Sequence, residues 1–173
     1  MSDKLIVIVG FMGCGKTVVA QELSRLLDRS CVDLDARIED VEGRSPAQII
    51  SENGEAAFRE KETTVLRELL SRDEPAVVAL GGGAWTIAAN RESIRSVDSF
   101  VVWLDTPLDV CWQRIEQDAQ FRPMAPSRAA AERLFSERLP FYRMADVHVG
   151  VIDESPTQIA ENIAALLRQH SHN

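Results

Sequence analysis

The chain has 173 residues and a formal charge of −8, with 45% hydrophobic and 27% charged residues, the balance of one ordinary globular domain. No stretch approaches the ~20 apolar residues of a membrane span, and an acidic chain lacks the broad basic face that nucleic-acid backbones require. An anion must therefore be held by locally placed arginines and backbone N–H groups. Cys14, Cys31 and Cys111 show no C-x-x-C spacing, which argues against a disulfide framework or a zinc site. The N-terminus runs into the first apolar stretch without a cleavable-signal pattern, which predicts a cytoplasmic protein.

Residues 5–9 (LIVIV) fit a buried parallel strand. Gly10 to Thr17 then reads GFMGCGKT and matches G-x-x-x-x-G-K-[ST] at every fixed position, with a helix-compatible segment over 18–27. The strand–loop–helix context gives this motif its chemistry. Glycines let backbone N–H groups approach an anion closely, and the helix N-terminus adds its positive end. Lys16 would reach the β/γ-phosphates of a nucleotide, and the Thr17 hydroxyl would hold Mg²⁺. Next, 31–32 forms a short strand ending in Asp33-Leu34-Asp35. Short helices are predicted over 36–42 and 46–53, broken at Gly43, with Ser45 as an N-cap. Gly54 breaks the chain again before an amphipathic helix over 55–71 that puts Phe58, Val65, Leu66, Leu69 and Leu70 on one side.

Residues 76–80 form another apolar strand, running into Gly81-Gly82-Gly83. A helix over 87–97, a strand over 100–104 and a helix over 107–115 follow. Residues 116–127 are polar with two prolines and read as a mobile loop. A helix over 129–145 interrupted at Pro140, a strand over 147–149 and a closing helix over 156–169 capped by Ser155 complete the chain. Strands that alternate with helices and read as continuous apolar runs make a parallel sheet covered on both faces. Ligands bind such sheets at the carboxyl ends of the strands. The Gly10 loop, Asp33-Leu34-Asp35 and Gly81-Gly82-Gly83 each follow a strand, so all three should meet in one crevice.

Alternation along an extended chain points Asp33 and Asp35 to the same side. One could hold the metal and the other take a proton from an acceptor hydroxyl. The pair is equally compatible with plain turn and N-cap chemistry. Arg59 near the start of the long helix reads as solvated or paired with a nearby Glu. Arg122, in Phe121-Arg122-Pro123, reads as a surface residue.

The joint pattern is more specific. It comprises the phosphate loop, D-x-D, Phe58-Arg59, Gly81-Gly82-Gly83, Arg122-Pro123, and R-x-P-x-Y-R from Arg138 to Arg143. This pattern resembles the shikimate kinase family across residues 4–149. The resemblance implies a three-layer α/β/α fold of the P-loop kinase type, with a five-stranded parallel sheet, a mobile lid and substrate-binding helices. Within a single domain, 1–173, it implies a core at about 4–30, 76–110 and 146–173, a substrate-binding region at about 33–60 and a lid at about 116–128. It further implies that Gly13, Cys14, Gly15, Lys16, Thr17 and Val18 bind the nucleotide together with Arg114 and Arg122. Asp35, Arg59, Gly81, Gly82, Gly83 and Arg138 would bind shikimate, with Lys16, Asp35 and Arg122 catalytic and Thr17 and Asp33 supporting Mg²⁺. The expected partners are ATP and shikimate, with neither nucleic acid nor membrane, and relatives suggest a monomer. Three positions depart from the family pattern. Val18 stands where a second hydroxyl is usual, the lid reads Arg122-Pro123-Met124-Ala125 instead of R-P-L-L, and the loop 152–155 lacks a basic residue. A gluconate-kinase-like enzyme and a non-catalytic metabolite-sensing module are the alternative readings. The first would not need Arg59, Gly82 and Arg138 to converge with Asp35, and the second would bind ATP without turnover.

Overall fold

The apolar runs become β1 (Leu5–Val9), β2 (Ser30–Asp33), β3 (Ala76–Ala79), β4 (Ser99–Asp105) and β5 (Val147–Gly150). The computed structural model describes residues 4–72, 76–118 and 123–170. All strand pairs are parallel, in the order β2-β3-β1-β4-β5. Nearly every residue of β1, β3 and β4 is buried, which is why these strands read as unbroken apolar runs.

Among the described residues, seven helices connect and flank the strands: α1 (Lys16–Leu27), α2 (Leu34–Glu42), α3 (Pro46–Leu70), α4 (Ala88–Arg95), α5 (Leu108–Gln117), α6 (Arg128–Tyr142) and α7 (Pro156–His170). The path from β1 to β2 moves one way across the sheet, and the paths β2 to β3, β3 to β4 and β4 to β5 move the other way. Right-handed crossovers in opposite directions put their helices on opposite faces. Accordingly α1 packs with α7, while α3 packs with α2 and α4. The expected α/β architecture with a five-stranded parallel sheet is present. No helix among the described residues is long and apolar enough to cross a membrane.

Local signals account for most boundaries. Gly43 closes α2 in a left-handed conformation, and Ser45 opens α3 with a capping box that includes Gln48. Gly54, at φ 87° and ψ 164°, breaks α3 where the sequence predicted a break. Ser155 and Gln158 exchange the same pair of bonds at the start of α7.

Four expectations need correction. First, α1 starts at Lys16, two residues early, because Gly15 at φ 96° is its N-cap. Secondly, Asp33 and Asp35 are not alternating residues of one extended segment: Asp33 caps α2, and Asp35 already lies in its first turn. Thirdly, the helix after β3 is shorter than predicted and follows a 3-10 turn, Ala84–Thr86. Finally, α6 passes through Pro140 and ends at Tyr142; a proline this close to the helix end removes only one backbone bond. The predicted loop 116–127 loses its first two residues to α5, and 119–122 lie outside the described residues.

The strand order decides where the site forms. Because β3 lies between β1 and β2, whatever follows β3 lies between the loop after β1 and the carboxylates after β2.

Candidate active site

The phosphate loop joins β1 to α1. Gly13 has φ 76°, and a Cβ there would come within 2.6 Å of the Cys111 carbonyl oxygen. Any other residue would be strained by conformation and by contact alike. Cys14 is buried under the loop and Val18 is exposed at its edge. Lys16 curls back over the loop, its Nζ donating to the carbonyls of Gly10 at 3.0 Å and Phe11 at 2.9 Å. The first turn of α1 contains no acidic residue, which leaves its N–H groups and positive end available to an anion. Arg114 reaches over from α5 and donates to the Gly13 carbonyl at 3.2 Å. Burial pushes the Cys111 thiol up to about 12, so it acts as a neutral packing group.

Asp33 serves two purposes at once. Its Oδ1 accepts the N–H groups of Asp35 and Ala36 as the α2 cap, while its Oδ2 accepts the Thr17 hydroxyl at 2.5 Å. This places two hard oxygen donors, from different elements, side by side at the mouth of the loop. Such a donor set fits Mg²⁺, which takes one or two protein oxygens and completes its shell with phosphates and water.

Beyond Asp33 lies a larger cavity of 810 Å³ lined by Asp35, Arg59, Glu62, Gly82, Met124 and Arg138. It shares Thr17, Asp33, Asp35 and Gly82 with the 240 Å³ cavity over the phosphate loop. The floor of the larger cavity is Gly81, Gly82 and Gly83, and each glycine makes room for a different charged group. A Cβ at Gly81 would lie 2.7 Å from Asp35 Oδ1 and 3.0 Å from Glu62 Oε1. At Gly82 it would lie 3.1 Å from Arg138 Nη1, and at Gly83 it would lie 2.7 Å from Arg59 Cζ. The two arginines come from α3 and α6, more than seventy positions apart in sequence. The three strand-end segments do meet in one crevice, as the sequence predicted. Arg122 lies outside the described residues.

Sequence reasoning missed Glu62. Its side chain is 0% exposed; Oε2 accepts Arg59 Nη1 at 2.7 Å, and Oε1 has no hydrogen-bond partner among the described residues. Glu55 holds Arg59 from the other side at 3.2 Å. The available signal was a glutamate on the apolar stripe of α3, one turn from both Phe58 and Val65. Burial, reinforced by the negative charge of Asp35, pushes the Glu62 carboxyl up to about 7 against the pull of Arg59 and Arg138. A carboxyl raised on folding contributes stability that is complete below its unfolded value of 4.5 and is lost as pH rises through about 7. Glu62→Gln should therefore gain stability relative to the parent between pH 4.5 and pH 7. Urea denaturation of both proteins across that range checks this, and parallel pH curves would refute the raised carboxyl.

Comparison with known proteins agrees with this geometry. The family model described as shikimate kinase matches residues 12–168. A shikimate kinase of Synechococcus sp. (strain JA-3-3Ab) is 41% identical over 162 residues, covering 91% of this chain and 84% of the relative. The solved structure of shikimate kinase from Acinetobacter baumannii in complex with shikimate superposes with a TM-score of 0.91 at 36% identity, over 96% of this chain and 94% of that one. A gluconokinase from Sinorhizobium meliloti has a TM-score of 0.67 at 18% identity, over 98% of this chain and 96% of that one, a likeness of fold alone. With this breadth of match, the chain belongs to the shikimate kinase family.

Proposed function

We infer that the protein transfers the γ-phosphoryl group of ATP to the 3-hydroxyl of shikimate, giving shikimate 3-phosphate and ADP in aromatic amino-acid biosynthesis through chorismate. The observation that carries this reading is the continuity of the two cavities: a phosphate loop opens across Gly82 into a pocket with two arginines and a carboxylate. The shikimate complex of the Acinetobacter baumannii relative supports it. The arginine forks of Arg59 and Arg138, with the Gly82 N–H, suit a substrate carboxylate. The other end of the substrate then lies towards Asp35 and the phosphate loop.

Asp35 takes the proton of the 3-hydroxyl as its oxygen bonds to the γ-phosphorus. The bond from that phosphorus to the β,γ-bridging oxygen breaks, and ADP leaves with those electrons. A loose transition state of this kind needs positioned cations more than covalent chemistry. Lys16 supplies one beside the phosphates, and Arg122 supplies another from the lid. Arg114 flanks the adenine. Gly13, Cys14 and Gly15 contribute loop N–H groups, while Val18 offers no hydroxyl. Thr17 and Asp33 would hold Mg²⁺, which when bound neutralises charge on the β- and γ-phosphates. We further propose a cytoplasmic monomer.

Three measurements test this reading. Purified protein with Mg-ATP should release ADP when shikimate is added and not when gluconate is added; stimulation by gluconate alone would reassign the substrate. Asp35→Asn should lower kcat by roughly 10²- to 10⁴-fold, the ordinary contribution of a general base, while ATP still binds. Arg138→Ala should raise the shikimate KM by more than about tenfold, as expected for a lost charge-assisted bond. A matching rise in the ATP KM would contradict a carboxylate clamp.

A further inference from the structure

We propose that Tyr142 is a positioning residue for the carboxylate-binding groups, its hydroxyl holding the Gly82 carbonyl and the Arg138 guanidinium in register. This rests on the shikimate reading above. Tyr142 ends α6, one helical turn after Arg138 on the same face. It is 1% exposed, and its hydroxyl donates to the Gly82 carbonyl at 2.5 Å. Arg138 reaches the same glycine, its Nη1 3.1 Å from where a Cβ at Gly82 would stand, and its charge bears on the phenol. A phenol that donates one hydrogen bond can still accept another, so a single oxygen can serve both groups.

Such a tether is needed where it occurs. Three successive glycines give the backbone little conformational preference of its own. Fixing the Gly82 carbonyl fixes the plane of its peptide with Gly83, which leaves only the dihedrals of Gly82 between that plane and the Gly82 N–H. The ring itself is held by the sheet: Trp103 of β4 stacks on it at a centroid distance of 6.1 Å and 26° between planes. Burial pushes the phenol above its ordinary range, so it remains a neutral donor. A second bond, Trp85 Nε1 to the Phe141 carbonyl at 2.8 Å, anchors the end of α6 independently. Tyr142→Phe therefore removes the register while the helix keeps its anchor.

Steady-state kinetics of Tyr142→Phe should show the shikimate KM raised roughly five- to tenfold, the size of one lost buried hydrogen bond. The ATP KM and kcat should stay within about twofold. Arg138→Lys should cost less in the Tyr142→Phe background than in the parent, because coupled residues are non-additive. An unchanged shikimate KM would overturn the proposal, as would both KM values and kcat worsening together. If the variant does not fold, the parent protein decides. Tyr142 is the only tyrosine in the chain, so 3-fluorotyrosine labelling gives a single ¹⁹F resonance. That line should shift with saturating shikimate and stay in place with Mg-ADP; no shift with shikimate refutes the role. Absence of shikimate-dependent ADP release from the parent protein would instead refute the function.

Discussion

The site depends on a strip of backbone that carries no side chains. β3 lies between β1 and β2, so the residues after β3 lie beside both the phosphate loop and the start of α2. Any side chain there would occupy the space now used by charged groups from three helices. Asp35 and Glu62 close over Gly81, Arg138 over Gly82 and Arg59 over Gly83. Gly-Gly-Gly thus leaves these charged side-chain ends where they are. A methyl at Gly83 would displace Arg59, and one at Gly81 would separate Asp35 from Glu62.

The electrostatics follow from the same crowding. A chain with a net charge of −8 repels a carboxylate or a triphosphate at long range, so attraction must be local. The protein places Arg59 and Arg138 in a cavity and balances them with Asp35 and Glu62. Buried charges persist only when paired, and here Arg59 lies between Glu55 and Glu62 while Arg138 closes over Gly82. Burial is why Glu62 is pushed up to about 7 despite an ion pair of 2.7 Å with Arg59. Desolvation and the neighbouring Asp35 charge outweigh the single arginine that Glu62 touches.

The sequence made much of this legible because several constraints are local. Buried strands announce themselves as apolar runs, Gly43 and Gly54 as breaks, Ser45 and Ser155 as caps, and the phosphate loop as a motif whose glycines have no substitute. What stayed hidden depends on distance in the chain. The spacing of Glu62 and Arg59 is visible in α3, but nothing local says that the stripe of α3 carrying Glu62 is pressed against Gly81. Tyr142 sits in a recognisable motif, yet its partner Gly82 lies 60 positions away. Helix ends were misjudged by one to three residues where a cap of unusual geometry, such as Gly15 at φ 96°, starts the helix early.

The error over Asp33 and Asp35 has a different origin. Read from sequence, capping and metal support look like rival explanations of one aspartate. In the fold the cap and the contact with Thr17 belong to one arrangement. The cap bonds hold Oδ1 against the start of α2, and this leaves Oδ2 directed at Thr17. An uncapped aspartate would have to lose side-chain freedom each time it met the loop; this one is already fixed. Arg59 follows the same logic, since its pairing with Glu55 and Glu62 holds its guanidinium over Gly83. In both cases ordinary structural bonds hold the side chain in one place, and a group held in this way is pre-organised for a ligand, so finding the structural role does not count against a functional one.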